Sequence, residues 1–254
     1  MRAGMTDLLY LASPEAAYKR EFAARVVALP PGGVILDRTL FYAVGGGQPA
    51  DHGTLSRADG ARYKVVDVVH SGAHAFHRLE RGRSAAPLQI GDEVRGEIDW
   101  ERRYAHMRGH TGQHLLSARV FALTGRRTRR AVLGRGSARL ELDGPWPESP
   151  SLAELASDMA GWVDRALPVT IRFVPRAEYD REPAPRSGLV PLAAHVDPVR
   201  LVEIERADRC PCGGTHLRNT AEIGGIDLAP PRRLPDGSDE LSFTLRAVPA
   251  TPSG

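Results

Sequence analysis

Between Asp99 and Leu123 the chain carries no proline, although it has 20 Pro among 254 residues. Proline breaks a helix interior, so its absence leaves this stretch able to form one long helix. Leu115, Leu116, Val120 and Leu123 recur there at helical spacing, and Gly125 is a natural stop. This helix divides the chain. Before it the pattern is that of short strands and turns. Pro30-Pro31-Gly32-Gly33 turns the chain between Arg25–Leu29 and Val34–Leu36. Asp59-Gly60 marks a hairpin between Thr54–Ser56 and Tyr63–Val69. Further strands are expected at His74–Leu79 and Glu93–Trp100. Ser13-Pro14-Glu15 has the form of a helix start, with the helix running to about Phe22. Residues 1–99 therefore read as a small β-barrel-like domain.

After the helix the chain mixes both periodicities. Ser137–Leu142, Val169–Val174, Arg200–Ile204, Glu222–Leu228 and Leu241–Val248 read as strands. Leu152–Leu167 reads as a helix capped by Ser149 or Ser151, and Pro183–Pro198 as a loop or an irregular crossing. Residues 100–254 form an α+β domain, and the fold class of the whole is α+β.

Hydrophobic residues make up 42% and charged residues 26%, which suits a globular protein with a real core. No apolar run approaches the roughly 20 residues of a membrane span. The stretch before Pro14 is too polar for a signal peptide. Two cysteines one residue apart, Cys210 and Cys212, cannot build a disulfide framework, so a cytoplasmic protein is expected. The net charge is +3, but its distribution is uneven. Residues 101–140 hold ten Arg and one acid, a net of +9 that leaves −6 for the remainder. Such clustering points to an anionic partner such as nucleic acid.

His110 and His114 are four residues apart on the expected helix, and so share a face and can chelate one metal ion. Thr111 stands where a helical metalloprotease carries its glutamate base, which disfavours that class. His106, one turn further back, diverges around the helix and is placed behind the ion or at the surface. Cys212-Gly213-Gly214-Thr215-His216 is a second pair, whose glycines permit a tight turn that folds both side chains onto one ion. Two imidazoles with a thiolate and a third imidazole suit zinc. Cys210 is read as a bystander. Gly45, Gly46 and Gly47, followed by Gln48, form a loop whose backbone can take positive φ or approach a ligand closely. No Lys-Ser/Thr follows, so it is not a P-loop.

These motifs carry a resemblance. LDRTLFYAVGGGQPADHG (Leu36–Gly53), RRYAHMRGHTGQHLLSA (Arg102–Ala118), GRGSARLELD (Gly134–Asp143) and CGGTHLRNTAEIG (Cys212–Gly224) resemble, in order, the alanyl-tRNA editing (AlaX-type) family. Its members are free-standing relatives of the alanyl-tRNA synthetase editing domain. The resemblance implies an editing domain of the threonyl/alanyl-tRNA synthetase common type. It implies one Zn²⁺ per chain on His110, His114, Cys212 and His216. It also implies a glycine-rich motif at Gly45, Gly46, Gly47 and Gln48, and a hydroxyl sensor near Thr128. The implied activity is a zinc-dependent aminoacyl-tRNA deacylase, which removes Ser, and in some members Gly, from mischarged tRNA(Ala) in translation quality control. Zinc would activate water, polarise the carbonyl or anchor the substrate. Arg126, Arg127, Arg129 and Arg130 are candidate contacts to the acceptor end of the tRNA. The chain departs from the family pattern at Ala43-Val44, where Pro and an acid are common, and at Gly112, where Ala is common. Two other readings stand beside hydrolysis: an aminoacyl-tRNA-using transferase, and a non-catalytic tRNA-binding module.

Overall fold

The computed structural model describes residues 4–80, 86–181, 188 and 192–246. The chain divides into two compact units, Met1–Tyr104 and Ala105–Gly254.

The first unit is a closed barrel. Its strands follow the order Glu21–Ala28, Gly33–Leu36, His74–Leu79, Arg62–Ser71, Gly53–Arg57 and Glu93–Ile98, the last returning to the first. Two-residue alternation builds it: Phe22, Ala24 and Val26 point inward while Glu21, Ala23 and Arg25 face solvent. That alternation corrects the expected N-terminal helix. Only Pro14–Ala17 is helical, capped by Ser13, whose Oγ accepts the Ala16 N–H at 3.2 Å. Phe22 belongs instead to a strand paired with Glu93–Glu97. Opposite Phe22 stands Gly96, and a Cβ there would lie 2.1 Å from the Phe22 ring, so the barrel wall needs glycine at this point.

Two of the buried polar groups in this unit, both basic, bear on its stability. His77 is fully buried, its Nδ1 3.3 Å from the Val34 carbonyl and its Nε2 2.8 Å from Thr39 Oγ1. The Thr39 hydroxyl oxygen in turn accepts the Phe41 N–H at 3.0 Å. Burial pushes the His77 pKa down to about 4 from 6.5. A histidine with a depressed folded pKa supports the fold fully above its unfolded pKa, and that support is lost as pH falls from 6.5 towards 4. At 1.36 kcal/mol per unit the loss is about 3 kcal/mol. We expect the stability gap between the wild type and a His77→Gln variant to shrink by that order between pH 7 and pH 4 in urea titrations; a constant gap would refute the assignment.

The second buried group is Arg103, which has no exposed surface. Its Nε donates to both Asp51 oxygens, at 3.1 and 2.9 Å, and Nη2 bonds the same carboxylate. Its remaining donors reach the Ala17 carbonyl at 2.8 Å and the Leu40 carbonyl at 2.6 Å. The Asp51 carboxylate also accepts the Tyr42 N–H at 2.7 Å.

The helix Trp100–Thr124 contains the boundary between the units and ends at Gly125, which has φ +69. Among the described residues the second unit has two antiparallel sheets. One has the order Ile226–Arg233, Asp239–Leu245, Ser137–Leu142, Thr128–Gly134. The other runs Val169–Val174, Val199–Ile204, Asp208–Pro211. The helix Leu152–Asp164 starts with a capping box between Ser151 and Glu154. One reading of the sequence is corrected here. Residues 220–223 form a 3₁₀ turn, so the expected strand at Glu222 begins only at Ile226. The Arg-rich segment after Gly125 enters a strand at Thr128. Val248 and much of the Pro183–Pro198 segment lie outside the described residues.

The long helix is more deeply placed than its apolar stripe suggests. All nine residues from Gly109 to Ser117 are buried, and five of them are polar or ionisable: His110, Thr111, Gln113, His114 and Ser117. Gly112 has a packing reason. A Cβ there would lie 3.2 Å from the Phe243 ring and 3.4 Å from Ile226. No helix among the described residues is long and apolar enough to cross a membrane.

Candidate metal centre

Burying that many polar groups on one helix has a cost unless partners meet them. The partners come from the turn that follows the strand Asp208–Pro211. Cys212 Sγ lies 3.6 Å from His110 Nε2 and 3.4 Å from His216 Nε2. The ring centroids of His110, His114 and His216 are 4.4 to 5.1 Å apart. The four donor atoms all lie within 4.8 Å of one another and can hold a metal ion. A tetrahedral ion with bonds of about 2.0 Å to nitrogen and 2.3 Å to sulfur sets S and N donors about 3.5 Å apart. The two measured S···N separations match that edge, so the donor set fits the ion in chemistry and in spacing.

Hydrogen bonds fix the turn in this arrangement. Gly214 N–H donates to Cys212 Sγ at 3.3 Å, and the Arg200 guanidinium bonds the Cys212 carbonyl. The imidazoles are oriented from behind. His114 Nδ1 is 2.8 Å from the Asp208 carboxylate, and His216 Nδ1 is 3.3 Å from Thr111 Oγ1, which also accepts the Leu217 N–H at 3.1 Å. With Nδ1 carrying the proton in both rings, each Nε2 lone pair is left to the centre. Asp208 was not singled out from the sequence, nor was the orienting role of Thr111. Asp208 stands four residues before Cys212, in the strand that leads into the turn, and that spacing is the one signal that points to it.

The electrostatics of the ion-free centre are those of a charged cluster. Burial opposes the Cys212 thiolate, but the charges of His110, His216 and His114 outweigh it and hold the thiol well below its ordinary pKa. Burial also opposes protonation of His114, yet the Cys212 thiolate and the Asp208 carboxylate raise it to about 10. Burial and the neighbouring His110 push His216 well down. A cation bound there would compete with the proton on His114, so its affinity would be expected to rise with pH. Removing the orienting carboxylate with Asp208→Asn is expected to lower metal affinity about tenfold or more, read by competition with a chromophoric chelator. Unchanged affinity would show that Asp208 does not orient the ligand.

The remaining candidates fall elsewhere. His106 is buried and outside the four-donor group, which corrects its surface alternative. Thr128 Oγ1 is 2.8 Å from Ser117 Oγ, which accepts from Gln113 Nε2 at 2.8 Å, a buried chain of three side chains beginning beside His114. Arg129 pairs with Asp236 at 2.7 Å and donates to Ser238, and Arg130 lies 3.6 Å from Glu141. Arg127 stacks over Phe121, and the Arg126 side chain covers Gly144. In the first unit, Gly45 and Gln48 exchange backbone hydrogen bonds at 3.2 and 2.9 Å, with Gly46 and Gly47 at φ +55 and +82. The tight turn thus requires glycine at its two central positions. Tyr42 Oη donates to the Gly45 carbonyl at 2.8 Å.

A small β-barrel followed by an α+β unit with a histidine–cysteine cluster able to hold a metal ion is the class of architecture that two tRNA synthetase domain models match. The model of class II (A) tRNA synthetases matches residues 14–102, and the model of the threonyl and alanyl tRNA synthetase second additional domain matches residues 199–235. The alanyl-tRNA editing protein AlaX-M of Methanosarcina acetivorans is 35% identical over 246 residues, covering 95% of this chain and 99% of its own length. Its counterpart in Methanosarcina barkeri is 33% identical over 95% and 99%. The chain belongs to this alanyl-tRNA editing family. The alanine–tRNA ligase of Pyrobaculum calidifontis is 39% identical over 91% of this chain, but the match spans 26% of the ligase.

Proposed function

We propose that this chain is a trans-editing deacylase that hydrolyses the ester joining a wrong amino acid, Ser foremost and Gly second, to the 3′ end of tRNA(Ala). The observation that carries the reading is the convergence of His110, His114, Cys212 and His216 within 4.8 Å in a chain matching an AlaX-M protein over 95% of its length. In this proposal residues 100–254 are the editing domain that holds one zinc ion, and residues 1–99 are a β-domain contributing the Gly45, Gly46, Gly47 and Gln48 motif. Zinc, when bound, supplies Lewis acidity that can polarise a carbonyl or activate water.

The protein's own residues do the positioning. An aminoacyl ester is already reactive, so holding it in an attack geometry accounts for much of the rate. Asp208 and Thr111 fix the tautomers of His114 and His216. Thr128, with its hydroxyl tied to Ser117 and Gln113, offers a buried polar contact that a serine side chain can use and an alanine side chain cannot. Arg126 and Arg127 remain proposed contacts to acceptor-end phosphates, and Arg129 and Arg130 would have to release Asp236 and Glu141 to join them. The test is deacylation of tRNA(Ala) charged separately with Ser, Gly and Ala. The reading expects free Ser first, Gly more slowly and Ala spared. Amino-acid transfer to an added amine in preference to water would favour a transferase, and no turnover on any of the three would overturn the proposal.

A further inference from the structure

The strand that leads into the metal turn reads Asp208-Arg209-Cys210-Pro211-Cys212. Alternate residues of a strand share a face, so Asp208 and Cys210 point the same way, and Cys212 follows at the next step. Pairing with Val199–Ile204 fixes this register, with Ile204 opposite Asp208 and Val202 opposite Cys210. His114 stands over the row, and its two nitrogens face in different directions. Nδ1 meets the Asp208 carboxylate, which leaves Nε2 as the nitrogen free to serve the four-donor cluster. The donor atoms of His114, Asp208 and Cys210 all lie within 4.8 Å of one another. Both side chains of the His114–Asp208 pair are almost wholly buried, at 6% and 4% exposure. Orienting His114 requires only the carboxylate. The thiol of Cys210, placed against the same two groups, makes a mixed N, O, S set.

We infer that His114 Nδ1, Asp208 and Cys210 form a second, weaker binding position for a thiophilic divalent cation, beside the four-donor centre and sharing His114 with it. The inference rests on reading the four-donor cluster as a metal site. Three protein ligands leave this position open to one exchangeable ligand, whereas the first position has its full set of four. Binding breaks the His114 Nδ1–H bond and the Cys210 S–H bond, forms metal–nitrogen and metal–sulfur bonds, and releases both protons to solvent with no change of oxidation state. With both positions filled, His114 bridges as an imidazolate. The 2.8 Å contact between His114 Nδ1 and Asp208 must open by about 0.6 Å to admit a tetrahedral ion, a cost that places this position second in affinity.

The test is a titration of the full-length, metal-stripped chain with Co²⁺, following the thiolate-to-cobalt charge-transfer absorption. The wild type should show two steps, the first complete at one equivalent and the second needing excess. Cys210→Ser should abolish the second step and keep the first, which also reports that the variant is folded. Cys212→Ser should remove or weaken the first. A wild-type curve with one step, or a second step that survives Cys210→Ser, would overturn the second position while leaving the four-donor reading intact. Absence of the first step in the wild type would instead overturn the four-donor reading.

Discussion

Cys212→Ser and His110→Ala should each lower serine release from Ser-tRNA(Ala) by on the order of a hundredfold or more. The size of the effect follows from the centre's geometry. Cys212 Sγ faces both His110 Nε2 and His216 Nε2, and it is the soft, readily ionised donor among three buried imidazoles. A serine hydroxyl stays protonated at neutral pH and is a harder donor, so the substitution removes both the charge and the soft ligand. His110→Ala leaves three donors of four and a void beside Cys212. Because losing the metal can also loosen the second unit, the assay should be accompanied by circular dichroism and metal analysis of each variant. Full activity in a folded variant that holds no metal would refute the metal's role.

The largest stability effect is expected in the first unit. Asp51 is the anionic partner of Arg103, and both side chains have no exposure. Truncating one member of a buried ion pair leaves an uncompensated charge in the core and typically costs about 3–5 kcal/mol. Asp51→Ala should therefore lower the stability of the protein by that amount in urea unfolding. It should also loosen the Tyr42–Gln48 turn, because the same carboxylate anchors the Tyr42 N–H. Asp51→Asn, which keeps an acceptor without the charge, should be less damaging. A double Asp51→Leu, Arg103→Met variant should recover part of the loss, since a buried pair replaced by apolar residues is often near neutral. A loss below about 1 kcal/mol for Asp51→Ala would mean that the guanidinium finds water, contrary to the structure.

Much of this molecule was legible in its residues, and the exceptions have physical causes. The Asp59-Gly60 hairpin, the proline-free helix and the Ser151-capped helix were readable because local chemistry decides them. The two donor pairs were readable because chelation demands fixed spacing. The segment at Phe22 misled because Ser13-Pro14 starts a helix that lasts one turn, and strand alternation then takes over. The strand Thr128–Gly134 was hidden because its arginines obscure a half-buried pattern. Charge was the least local property. The basic window of residues 101–140 finds acids spread across the chain: Arg103 meets Asp51, Arg119 meets Asp158, Arg129 meets Asp236, Arg130 meets Glu141 and Arg139 meets Glu240. Much of the apparent +9 is spent inside the fold, so a count along the sequence overstates what is left for a phosphate backbone. Asp208 was missed for a related reason, since its spacing from Cys212 gains meaning only once the strand places one acid among 31 behind His114.

The central claim is that four side chains, brought together from residues 110–114 and 212–216, hold an ion that the ester hydrolysis requires. The most direct measurement is serine release from Ser-tRNA(Ala) by the full chain before chelation, after chelation, and after restoring one equivalent of Zn²⁺. The account predicts release, its loss on chelation, and its recovery with zinc in the wild type but not in His110→Ala. Undiminished serine release from protein shown to contain no metal would contradict it.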